Sequence, residues 1–267
     1  MDKRISDEKV FHDAWAKETD HESVDVFGAW NELACPENAW IARELGDLNG
    51  SKLLDIGCGL GESSTFFALR GADVTAIDIS PEMLDLAEMV ARRHGTTITK
   101  VIASATDLSS FEANSFDVVY GANMLHHVDI EMCLHEVYRV LRPGGIALFW
   151  DPVLYNPAIK IYRRMAAGVR TPDEHPLTRS DLNLMKGVFA NHKVRFFWLS
   201  AVLIFVRFYL IDRIPPSESR YWKIIIEKQN SHRRFLRSAH IIDRIIIRLF
   251  PPLKWWCWNL AFVGRKS

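Results

Sequence analysis

In Lys52-Leu53-Leu54-Asp55-Ile56-Gly57-Cys58-Gly59-Leu60-Gly61-Glu62-Ser63-Ser64 an apolar run meets three glycines and then the start of a helix. A short apolar run closed by such a turn predicts a buried strand, and glycines at a strand-to-helix junction permit backbone dihedrals and approaches closed to other residues. The alternation continues downstream. DVTAID (73–78) predicts a second strand, and Ser80-Pro81-Glu82 supplies a serine N-cap and an early proline for the helix that Gly95 ends. ITKVIAS (98–104), FDVVYGA (116–122) and IALFWD (146–151) predict three more strands, with a helix over 130–141 and the turn Arg142-Pro143-Gly144-Gly145 before the last. A helix from Arg179 to about Asn191 and a strand over 193–200 follow, and CWNLAFVGRK (257–266) predicts a final strand. Repeated βα units imply an α/β, Rossmann-like and mostly parallel sheet with helices on both faces. Ligands of such sheets bind beyond the carboxyl ends of the strands.

A glycine-rich turn alone is weak evidence for any one ligand. Asp78 ends the second strand 21 residues after Gly57, where a carboxylate can hold ribose hydroxyls, so a nicotinamide or flavin site is the natural competitor. Two features oppose it. Glu62 stands where the dinucleotide pattern wants its third glycine, and Asp55 precedes the turn, where it would repel a pyrophosphate but attract an amino group. The ligand implied has a ribose and a positive end but no phosphate.

That description fits S-adenosylmethionine, and residues 51 to about 152 resemble the class I methyltransferases of the methyltransferase-11 type. The resemblance rests on LLDIGCGLG, VTAIDISPEML, Asp107-Leu108 followed by FDVVYGANMLHHV, and RVLRPGG, in that order. It implies a seven-stranded sheet whose last strand is antiparallel. It also implies that Gly57, Cys58, Gly59 and Gly61 lie under the methionine part, with Asp55 near its amino group and Asp78 on the ribose. Ile79 and Met83 would sandwich the adenine, Asp107 would accept from its amine, and Leu108 would pack on the ring, with Thr106 and Asn123 completing the cofactor set. The plainer roles are a capping aspartate at Asp78 and a loop carboxylate at Asp107.

Methyl transfer from a sulfonium starts with a good leaving group, so the protein must align the acceptor, exclude water and remove a proton from any hydroxyl. No metal is demanded. His126 and His127, after strand 4, are candidate bases, with His127 favoured by the resemblance; packing or helix-capping histidines are the alternative. The chain lacks the Pro-Pro-aromatic and Pro-Cys signatures of several macromolecular methylases after strand 4, which points to a small or lipid-like acceptor. Oxygen is the first expectation for the attacking atom. Carbon or nitrogen methylation of an isoprenoid quinone or lipid at a membrane surface, and a non-catalytic cofactor-binding scaffold, are the competing functions. Acceptor contacts are expected from His12 and Trp15, and from Tyr155, Asn156, Arg163, Arg164 and the Asp173-Glu174-His175 cluster. One histidine beside two adjacent carboxylates is not a convincing metal set.

The expected organisation is an N-terminal helical lid over 1–50, a cofactor-binding domain over 51–200 and 256–267 with an acceptor-side cap over 151–190, and a helical insertion over 201–255. The formal charge of zero conceals an asymmetry. Residues 1–150 hold 12 Lys/Arg against 25 Asp/Glu, and the remainder 21 against 8. Disorder and secretion are disfavoured by the apolar content and by an N-terminus without an apolar core, and the four scattered cysteines predict reduced thiols in the cytoplasm. In the insertion, a helical region from Ser217 to Phe250 mixes isoleucines with arginines and ends at Pro251-Pro252, before Trp255-Trp256-Cys257-Trp258. Such a segment suits a cap on the protein's own acidic half, a homodimer through 201–255, or the inner face of an anionic membrane. Nucleic acid fits least, because phosphate binding needs no isoleucine stripe.

Overall fold

A computed structural model describes residues 3–166, 168 and 174–267. One seven-stranded sheet organises them, in the order β3-β2-β1-β4-β5-β7-β6. The strands are β1 Lys52–Ile56, β2 Asp73–Asp78, β3 Thr99–Ile102, β4 Phe116–Ala122, β5 Leu141–Pro152, β6 Asn191–Phe197 and β7 Asn259–Arg265. The first five pair in parallel, while β7 runs antiparallel between β5 and β6. The expected fold class therefore stands.

Strand alternation sorts the core into two layers. Leu53, Val74, Val118, Leu148 and Val263 face helices α2 (Pro36–Leu45) and α3 (Glu62–Ala68). Their neighbours Leu54, Ile77, Val119, Ala147 and Phe262 face α5 (Ile130–Val140) and α7 (Arg179–Val188). Helix α4 (Pro81–Arg93) begins at a Ser80 cap whose Oγ accepts from the Met83 amide, and α1 (Lys3–Glu18) packs across it. The order reverses at β1 and β4, so the loops after these strands open a crevice that α1 covers.

Several boundaries move. Strand 3 ends at Ile102, because Ser104 and Asp107 pair across a turn, and strand 6 ends at Phe197, before Trp198 at φ 68°. The long helix expected over 217–250 is two helices, α9 (Tyr221–Lys228) and α10 (Arg233–Leu249), preceded by α8 (Leu203–Leu210). The break falls at Gln229-Asn230-Ser231, where the Asn230 and Ser231 side chains favour turns over helix interiors. The insertion is built into the main core. Phe205, Phe208, Tyr221, Ile225, Leu236 and Ala239 are all buried in the same cluster as Leu53 and Val118.

Asp243, on the inner face of α10, anchors this arrangement. Only 3% exposed, its carboxylate accepts from the Leu199 amide at 2.9 Å and the Ser200 amide at 2.7 Å, tying α10 to the chain entering α8. Asp243→Ala should lower unfolding free energy by about 3 kcal/mol, because buried donors lose their acceptor. Exposed Glu218→Ala should stay within about 0.5 kcal/mol. Denaturant midpoints measure both, and an unchanged Asp243→Ala midpoint would show that α10 is held otherwise.

Candidate functional site

The carboxyl edge of the sheet opens into a cavity of about 310 Å³ lined from β1, β2, β4, β5, α1, α2 and the insertion. The glycine turn forms part of this lining. The amides of Gly57 and Cys58 both donate to the Ile77 carbonyl, and Gly61 takes φ 82° with Ala87 packed against it. A Cβ at Gly61 would lie 2.6 Å from Ala87 Cα, so both the dihedral and the close approach demand glycine there. Asp78 closes the turn: Oδ2 accepts from the Gly59 amide at 3.1 Å and Oδ1 from the Ser80 amide at 2.9 Å.

Asp55 is buried beside it and accepts from Ser64 Oγ at 2.5 Å. Burial pushes its carboxyl up to about 7, offset in part by the Ser64 bond. Burial likewise raises Asp78. Gly57, Cys58, Gly59, Asp78, Ile79 and Asn123 line the cavity with Asp55, as the resemblance implies for the cofactor set. Asn123 takes φ 54°, and its amide donates to the Trp150 carbonyl.

Other expected cofactor contacts lie elsewhere. Met83 is fully buried among Val24, Val26, Leu86 and Val90, because its position in the first turn of α4 faces the segment linking α1 to α2. Leu108 is buried in the core beneath α5. Asp107 is exposed, accepts from the Ser109 amide, and lines with Thr106 a separate shallow depression. Ala103, Ser104 and Ala105 reach the cavity in their place.

The same cavity has aromatic walls and contains the histidines. Trp150, Tyr162, Trp198, Trp222 and Trp258 form its walls with Ile225 and Ile226. His126 is 2% exposed, with Nδ1 2.6 Å from Asp151 Oδ1, a separation that requires a proton between them. Burial lifts Asp151 to about 7, against the bonds from the His126 and Leu125 amides. His127 places Nδ1 2.9 Å from Glu8 Oε1. Both histidines line the cavity, as do His12 and Trp15 of α1, whose rings lie 5.8 Å apart, and Arg220 stacks 3.7 Å over Trp15.

The expected acceptor groups divide. Tyr155 lies outside the cavity, its ring against Trp255 and its hydroxyl accepting from the Arg179 amide. Asn156 caps α6 (Pro157–Met165), and Arg164 is exposed. Arg163 pairs with Glu174 at 2.8 Å rather than lining the cavity, whereas Glu174 does line it. His175 is exposed and donates its amide to the His126 carbonyl; Asp173 lies outside the described residues. Glu8, Glu37, Asn38, Tyr120 and Asp151 reach the cavity or its histidines without having been expected there. Glu8 sits one helical turn before His12, and Asp151 is the residue leaving the fifth expected strand; both signals were present in the pattern. Glu37 is pushed up to about 7 by burial, though Asn259 Nδ2 donates to it at 2.7 Å.

Comparison with known proteins bears on this geometry. Residues 54–149 match the family model described as a methyltransferase domain. Ubiquinone biosynthesis O-methyltransferases are among the relatives. That of Pseudomonas savastanoi pv. phaseolicola is 34% identical over 129 residues, 48% of this chain and 55% of the relative. That of Aeromonas salmonicida is 37% identical over 130 residues, 48% of this chain and 53% of the relative. The chain thus matches about half the length of these relatives. In fold it is similar to the geranyl diphosphate C-methyltransferase of Streptomyces coelicolor A3(2), with TM-score 0.59 and 16% identity over 86% of this chain and 78% of that one. It is also similar to phosphoethanolamine N-methyltransferase 2 of Haemonchus contortus, with TM-score 0.57 and 20% identity over 91% of this chain and 56% of that one. By its ordered motifs, its strand order and the family model, residues 54–149 match a class I S-adenosylmethionine-dependent methyltransferase domain of the methyltransferase-11 type.

Proposed function

We propose that the chain transfers the methyl group of S-adenosylmethionine to a ring hydroxyl of a quinone-like acceptor. The observation that carries this reading is one cavity lined together by Asp55, Asp78, the glycine turn, the His126–His127 pair and aromatic walls. Ribose hydroxyls would bond to Asp78 and the amino group would lie near Asp55, which leaves the sulfonium directed along the cavity. A flat apolar ring suits walls of tryptophan and isoleucine, and a hydroxyl beside the histidine pair can lose its proton there. The partial relatives named as ubiquinone biosynthesis O-methyltransferases favour oxygen and a quinone-like ring over the carbon and nitrogen alternatives.

We further propose that the chain docks peripherally on an anionic lipid surface through α10. Among the described residues no helix is long and apolar enough to cross a membrane. The buried side of α10 carries Leu236, Ala239 and Asp243, while Ile241, Ile242, Ile245 and Leu249 are exposed on the other side, flanked by Arg234, Arg237, Arg244 and Arg248. Among the described residues, no ion pair joins these arginines to the acidic first half. An apolar stripe edged by arginines matches lipid with anionic headgroups, whereas the same face in a two-fold dimer would oppose like charges.

Three measurements test these readings. Cofactor binding should release a proton near pH 7: burial holds the Asp55 carboxyl neutral below about 7, and the amino group of the ligand favours the carboxylate. Affinity should therefore rise from pH 6 to 8, as read by calorimetry in buffers of different ionisation enthalpy. In the cofactor-free protein the sign is opposite. The Asp55 pKa is raised from 3.8, so its contribution to stability declines as pH rises from about 4 through about 7. An affinity independent of pH would remove Asp55 from the amino group.

With a dihydroxylated ring as acceptor, S-adenosylhomocysteine should be released. His127→Ala should cut turnover by about 10²–10⁴-fold while leaving cofactor affinity within about twofold. Equal turnover would make His127 a packing residue. Vesicles containing phosphatidylglycerol should sediment the chain at low salt, and Ile245→Asp or Leu249→Asp should abolish this. A concentration-dependent dimer without vesicle binding would favour self-association instead.

A further inference from the structure

His126 and His127, from the turn after β4, meet Glu174, from the segment preceding α7, in the wall of the cavity. One donor atom from each lies within 4.8 Å of the other two. Each side chain is held from behind by a charged partner. His126 Nδ1 lies 2.6 Å from Asp151, His127 Nδ1 2.9 Å from Glu8, and the Glu174 carboxylate 2.8 Å from Arg163. A metal-bound histidine gives its other ring nitrogen to a carboxylate or carbonyl, which fixes the tautomer and strengthens the ligand. Here that arrangement occurs on two successive residues, and Nε2 is the nitrogen through which each would ligate.

We propose that His126, His127 and Glu174 bind one divalent transition-metal cation, of which Zn²⁺ is the type, with a coordination position open to the cavity. Two imidazoles and a carboxylate are a ligand set of catalytic zinc, with water in the fourth place. An ion about 2.0–2.1 Å from each nitrogen sets neighbouring donors about 3.3 Å apart, so the side chains must close by about 1.5 Å at most, within the reach of side-chain rotation. Charge favours the ion, because the carboxylates of Glu8 and Asp151 stand behind the two histidines and that of Glu174, paired with Arg163, lies beside them.

The consequence for chemistry, though not the site itself, rests on the hydroxyl-methylation reading. A hydroxide on the ion takes the proton of the ring hydroxyl and leaves as water, and the phenolate oxygen takes its coordination position. Ion-bound water ionises near pH 7 or so, whereas a phenol keeps its proton to about 10, so the ion delivers the attacking oxygen as an anion. A ring with two adjacent oxygens would chelate the ion, which narrows the acceptor class to ortho-dioxygenated rings.

The test uses the untagged full chain, stripped with a chelator and titrated with Co²⁺ by absorption and with Zn²⁺ by calorimetry, without methyl donor or acceptor. One ion should bind per chain. His127→Ala and Glu174→Gln should each weaken binding at least about 100-fold, and Glu8→Gln, which stands behind His127's outer nitrogen and also lies 3.5 Å from His12 Nε2, about 10–100-fold. S-adenosylhomocysteine affinity within about twofold of wild type certifies that each variant is folded. Absence of saturable binding, or unchanged binding in folded His127→Ala, overturns the site. A metal-free chain that turns over a catechol at the full rate overturns the ion's role while leaving hydroxyl methylation standing. Stoichiometric ion binding in a chain that methylates no dihydroxylated ring supports the site and removes the reading of the acceptor.

Discussion

The hydrogen bonds from the Gly59 and Ser80 amides to the Asp78 carboxylate hold the site in shape. They tie the turn after β1 to the start of α4, two segments that the parallel sheet only brings near each other. The amides of Gly57 and Cys58 add bonds to the Ile77 carbonyl, so the turn is fixed against β2 along its length. Gly61 then allows α3 to leave in contact with Ala87 of α4, where any side chain would force the helices apart. Asp78 thus has two uses for one carboxylate: it organises the turn and it presents negative charge to the cavity.

Burial shapes the electrostatics of the site. It raises Asp55 and Glu37, which line the cavity, and Asp151, behind His126, to about 7. The Ser64 hydrogen bond to Asp55 and a proton shared between His126 and Asp151 are separate answers to one constraint, the cost of burying anions among apolar side chains. The N-terminal helix takes part directly. Glu8 and Trp15 come from α1, so the segment before the first strand completes the site rather than decorating it.

The insertion between β6 and β7 reconciles two readings that seemed exclusive. Its aromatic and isoleucine residues in α8 and α9 fill the main core and wall the cavity, which makes it a cap. Its last helix keeps a second apolar face that is exposed among the described residues, edged by arginines. Asp243 allows both, since it anchors α10 by a buried carboxylate on the inner side and leaves the outer stripe exposed.

Local patterns carried much of this protein. Strand alternation, the Ser80 cap and the glycine turn are interactions among residues within a few positions of one another, so the sheet, its βα order and the placement of Asp55 and Asp78 could be read directly. Met83 and Asp107 lie off the cavity because their facing depends on how α4 and the loop after β3 pack, not on their position in a motif. The isoleucines of the insertion were alike in the sequence, yet Ile225 and Ile226 are buried and Ile241 and Ile245 are exposed, a division made only when α9 and α10 separate at Gln229. The charge asymmetry between the halves was visible from composition alone. That the arginines of α10 face outward, and that Glu8, Asp151 and Glu174 meet His126 and His127, follows from long-range packing, which brings together residues more than a hundred positions apart and has no local signature to read.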